Sequence, residues 1–201
     1  MFERLGFQLL RRWEDTDGLG RAGVSWNSFL FELDSGRGRP LEKIAQVING
    51  DTKEATYKLA LLRALSDIGT KNTRLVEWVG ADEVAVPMKL IAEKWLRYYW
   101  PLFQRSDFIP QKNGERIDGP KSVAFRKGLT GLIDIYREGG LSRFLVDAAA
   151  GKLTNDAAKQ HQKVLARLAG TIRDGPVQYA SGEMFRYDKI RKSSANHAMC
   201  A

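Results

Sequence analysis

The chain has 201 residues, 43% of them apolar and 28% charged, with a formal net charge of +8 and a sequence pI near 9.6. That length and apolar share are enough to bury a substantial core in one domain, or a domain with an appendage, and they exclude an unfolded tail. The longest apolar runs, such as Leu59 to Leu62, fall far short of the roughly 20 residues of a membrane helix. The start "MFERLGFQLLRRWED" lacks a signal peptide's apolar stretch, and the single cysteine, Cys200, allows no internal disulfide, so the cytoplasm is the expected compartment.

In chain order, Phe2, Leu5, Leu9 and Trp13 stand near helical spacing and predict a short first helix ended by "DTDGLGRAG". Ser25 then caps a second short, aromatic helix in "VSWNSFLFEL". Pro40 suits the first turn of a helix in "PLEKIAQVING", and Gly50 suits its exit. The clearest helix is "TKEATYKLALLRALSDIG": Thr52 can cap it, Tyr57, Leu61, Ala64, Leu65 and Ile68 form its apolar stripe, and Leu59 and Leu62 widen that stripe. "TRLVEWVG" and "DEVAV" read as a short strand region, after which Pro87 opens a helix over "MKLIAEKWLRYYW". Met88, Ile91, Trp95 and Tyr98, with Ala92, Leu96 and Tyr99, make its buried face, and Lys89, Glu93, Arg97 and Trp100 the opposite one. Most of its aromatic residues therefore belong to the core and not to a base-stacking surface; Pro101 ends the helix, leaving Trp100 to pack under the following loop or to face a partner.

The long polar stretch "QRSDFIPQKNGERIDGPK" predicts a surface excursion or a contact loop. Helix resumes in "SVAFRKGLTGLIDIYREGG", with Phe125, Leu129, Leu132 and Tyr136 inside and Arg126, Thr130, Asp134 and Arg137 outside. After "LSRFLVDAAAG", a last helix spans about Asn155 to Arg173, with His161, Leu165, Leu168 and Ile172 on its core face and Gly175 and Pro176 as terminators. "PVQYASGEMFRYDKI" alternates loosely and reads as a β-hairpin or its first strands. The expected fold is mainly α, with six or seven helices in a domain over 1–175, followed by a short β-hairpin-like segment and tail over 176–201.

The excess charge is concentrated at the end, where nine basic residues from Lys152 onward face four acidic ones. Lys159, Lys163 and Arg167 are spaced i, i+4, i+8 on the last helix, a like-charged stripe that destabilises an isolated helix slightly and that a phosphate backbone would relieve. Two readings stand: a solvated face partly relieved by Asp156, or a phosphate-binding surface made with Arg173, Lys189, Arg191 and Lys192. Metal and nucleophile sites are poorly supplied. His161 falls on an apolar face, His197 and Cys200 are only two ligands, Asp82 and Glu83 lack a suitably spaced lysine, and neither a phosphate-binding P-loop nor a dinucleotide-binding glycine motif is present. No catalytic and no metal-binding residue is assigned.

"TYKLALLRALSDIG" at 56–69, "VAVPMKLIAEKWLRYYWPLF" at 84–103 and "IRDGPVQYASGEMFRYD" at 172–188, in this order, resemble the amino-terminal region of a group of bacterial HNH endonuclease proteins. The resemblance covers about Leu41 to Asp188. It implies a helical module that precedes a nuclease domain, in which histidines and an asparagine arrange metal-assisted phosphodiester hydrolysis. Asn196 and His197 in "SSANHAMCA" lack that context, so the catalytic segment is expected to be missing and the tail to reflect a truncated or shifted reading frame. The implied function is non-catalytic: DNA binding or target positioning for a nuclease domain or subunit, in a chain that could also self-associate, with no cofactor of its own and a divalent metal only where an HNH segment follows. The alternative is a protein-interaction or assembly module that uses Trp100, the long loop and a hairpin edge. A complete nuclease with an unfamiliar carboxylate metal site is a third reading.

Overall fold

A computed structural model describes residues 7–16, 25–33, 55–79, 83–117, 119–179, 185–188 and 198–200. The chain divides into two compact units, Met1–Gln46 and Val47–Ala201.

In the first unit, strands β1 (Phe7–Thr16) and β2 (Ser25–Leu33) form an antiparallel pair with an irregularity between Leu9 and Arg11. Both short helices expected here are therefore strands. The spacing of Leu9 and Trp13 is ambiguous, because positions four apart share a face in a strand as well as in a helix. Cross-strand contacts decide it: Arg12 donates twice to Asn27 Oδ1, at 3.2 and 3.0 Å, and lies over the Phe29 ring. The helix expected from Pro40 lies outside the described residues, and the expected Thr52 cap is displaced, because Ala55 pairs with Lys112 in a β-bridge and Thr56 takes the N-cap position of the next helix.

The second unit is mainly α. Helix α1 (Tyr57–Lys71) buries Ala60, Leu61, Ala64 and Ile68 as its period requires, although Leu59 faces outward. A short 3-10 turn, Thr73–Leu75, leads to β3 (Glu77–Trp78) and β4 (Val84–Pro87), and α2 (Met88–Phe103) follows directly. Pro101 sits inside the last turn of α2 without ending it, since the Gln104 amide still donates to the Trp100 carbonyl at 2.9 Å. Helices α3 (Arg126–Ile135), α4 (Gly140–Ala149) and α5 (Asn155–Ile172) complete the bundle, so five α-helices stand among the described residues. Gly140 begins α4 at φ +59°, a conformation that other residues adopt only with strain. Thr154 caps α5 by accepting from the Ala157 amide at 3.2 Å. Gly175 and Pro176 widen the chain into a π turn, Arg173–Val177, instead of stopping it, so "PVQY" is helical and not a strand.

Of the hairpin expected in "PVQYASGEMFRYDKI", Arg186–Asp188 is a strand, β5, but its partner is β6 (Ala198–Cys200) in the tail. The two join the early strands in one antiparallel sheet of order β3-β4-β6-β5. In its register Ala85 and Arg186 both flank Cys200. The tail that contained no recognisable strand in the sequence is thus an inner strand of that sheet.

The core is aromatic. Trp95 packs on Tyr57 and Tyr99 with ring centroids 5.6 Å away in each case, and Tyr99 meets Phe125 edge-on at 4.8 Å. Trp100, expected on the polar side, is fully buried, stacked on Phe144 at 5.1 Å and donating to Gln104 Oε1 at 3.2 Å. It offers no docking surface.

Neither is the 104–121 loop a loose excursion. Buried Glu115 accepts from the backbone amides of Gln111 (2.6 Å) and Val123 (2.9 Å), and from Arg126 Nε (2.8 Å) and Nη2 (3.0 Å). Arg126, expected outside, turns inward between the Phe103 and Phe108 rings. Thr56 fastens the same loop to the start of α1 through Gln111 Oε1 at 3.1 Å, and its hydroxyl is hydrogen-bonded to that of Tyr99 at 2.8 Å.

Candidate nucleic-acid interface

Between α3 and α5 lies a groove of about 1390 Å³ that runs along their seam to the π turn. The close seam between the two helices depends on what the sequence omits. On α3, Gly128 and Gly131 face α5, and a Cβ at Gly131 would stand 3.2 Å from Gln160 Nε2. The helices approach closely enough for Gln160 to donate to the Gly128 carbonyl at 2.7 Å. Partly exposed Tyr57 contributes apolar surface to the lining, with the buried Met88 and Phe125 behind it.

Lys159, Lys163 and Arg167, singled out from their spacing, line one wall and are all exposed. No ion pair ties any of them to another described residue. Arg173 stands at the end of the same wall, but Asp174 grips it with two contacts of 2.6 and 2.8 Å. That pairing raises the arginine further and holds the aspartate below the usual carboxylate range. Lys189, Arg191 and Lys192 lie outside the described residues.

Lys127 is a groove residue that sequence reasoning missed. It belongs to α3, and no spacing within the chain announces that α3 lies against α5. Among the described lining residues, Asp156 and Asp174 are acidic, against five basic ones. Burial, with Glu115 adding to it and Arg126 opposing, pushes the Tyr57 phenol up to about 12.

The wall can hold anionic groups, and among the described residues the lining has no histidine or cysteine for proton transfer or nucleophilic attack. His161 points elsewhere, half-buried and edge-on to Phe144 at 5.1 Å, and burial, helped by Lys89, lowers its pKa. Among the described residues no cluster of three or more histidine, cysteine or acidic side chains is placed to hold a metal ion. Among them, too, no helix is long and apolar enough to cross a membrane.

Fold and groove define a mainly helical domain, completed by a small antiparallel sheet, with a basic cleft between two helices. The chain belongs to the family described as a domain of unknown function (DUF8808), whose model matches residues 37–200. No curated protein and no solved structure matches it.

Proposed function

We propose that the helical unit binds the phosphate backbone of nucleic acid in the α3–α5 groove. The observation that carries this reading is the row Lys159, Lys163 and Arg167, exposed, without an ion-pair partner among the described residues, and faced by Lys127 across the groove. Successive members stand about 6 Å apart along the helix, and the net charge of +8 draws a polyanion toward them. Backbone contacts of this kind position a ligand without reading its sequence. The resemblance to HNH endonuclease amino-terminal regions supports such a role: holding DNA for metal-dependent cleavage by a nuclease domain or subunit, in the cytoplasm.

The assembly-module reading has less support, since Trp100 belongs to the interior and the loop, though largely exposed, is anchored through Glu115. Fluorescence anisotropy with a labelled DNA oligonucleotide tests the proposal. Charge reversal at Lys163 and Arg167 together is expected to weaken binding at least about tenfold at low salt. Unchanged affinity in the folded double variant would refute it.

A further inference from the structure

The groove has features that a flat phosphate-binding face does not need. Its volume of about 1390 Å³ exceeds the roughly 300 to 1,000 Å³ of small-molecule pockets, so it suits a segment of polymer. Its charge lies on both sides, with Lys127 on α3 opposite the row on α5. Between the walls, partly exposed Tyr57 offers apolar surface that rim charges alone would not require.

Gly170 is the most informative residue. It stands inside α5 and lines the groove, yet nothing lies within 4 Å of where its Cβ would be. Packing therefore does not demand a glycine there, and glycine is a poor helix former. What a side chain at this position would take is groove volume.

We infer that the groove accommodates one unpaired nucleic-acid strand, and that the unit prefers single strands to duplexes. The inference rests on the proposed function and adds the state of the ligand. An extended strand can lay its phosphates along the α5 row, whose steps of about 6 Å are close to the distance between its successive phosphates. Its bases, free of partners, then reach the apolar lining, the arrangement by which charged grooves with aromatic surface bind single strands without regard to sequence. A duplex keeps its bases stacked inside and its backbones outside, so it meets the rim charges and leaves the lining unused.

The test is anisotropy with a short labelled DNA strand of mixed sequence, alone and annealed to its complement, in the same buffer. The strand is expected to bind about tenfold or more tightly than the duplex. Gly170→Leu, which fills groove space without changing charge, is expected to weaken strand binding by a similar factor while the protein's thermal midpoint stays level or rises. Lys127→Glu is expected to weaken it as well. Equal or tighter duplex binding, or undiminished strand binding by folded Gly170→Leu, would overturn the inference and leave the phosphate-binding proposal standing. Failure of wild-type protein to bind either probe would overturn both.

Discussion

Glu115 and Arg126 show what one buried ion pair does for this fold. Their side chains are 0% and 12% exposed, and between them they join the 104–121 loop to the start of α3. Removing one partner strands the other charge in the interior, so Glu115→Gln is expected to lower unfolding free energy by about 3–5 kcal/mol in denaturant titrations. The pH dependence has a definite sign. Burial by itself raises the Glu115 carboxyl, but the Arg126 side chain and the two backbone donors outweigh it and leave the pKa below its ordinary 4.5. The unfolded chain then binds the proton more readily, so the contribution is whole above about pH 4.5 and is lost as pH falls through the lower folded value. Acid titration of Glu115→Gln should show a shallower loss of stability over that interval than wild type. None of this was legible in "QKNGERIDGPK", because an acid reads as buried only once its partner is known, and Arg126 lies eleven residues away with no periodic relation to it.

Among the elements, α1, α2 and α5 were legible because each repeats apolar residues at helical spacing for at least fifteen residues. The β1–β2 pair was not, since short runs containing Leu9 and Trp13 satisfy both periods and only the partner strand distinguishes them. Trp100 was misplaced for a related reason. Helical spacing defines a face opposite the apolar stripe, but α4 covers part of it and Phe144 fills the contact. The buried position predicts that Trp100→Ala costs about 3–5 kcal/mol, whereas an exposed tryptophan would cost within about 0.5 kcal/mol. A denaturant midpoint comparison against wild type distinguishes the two. The basic row on α5 was legible in full, because like charges at i, i+4, i+8 need no tertiary information, while Lys127 needed the packing of α3 on α5.

At the scale of the whole molecule, the division at 46/47 places the hairpin in one compact unit and the helices, small sheet and groove in the other. The family match over 37–200 likewise begins beyond β2 and spans the helical unit. Residues 47–201 expressed alone are therefore expected to keep the helical circular dichroism of the full chain and a single cooperative unfolding transition. Loss of that transition would show that the helical unit depends on the first one. The proposed role of the groove is that Lys127, Lys159, Lys163 and Arg167, without an ion-pair partner among the described residues, bind a polyanion. The salt dependence of affinity for a labelled single strand tests it most directly. Four phosphates neutralised by Lys127, Lys159, Lys163 and Arg167 predict a log–log slope of about −3, reduced in Lys163→Glu/Arg167→Glu. A slope near zero, or no binding at low salt, would contradict the claim.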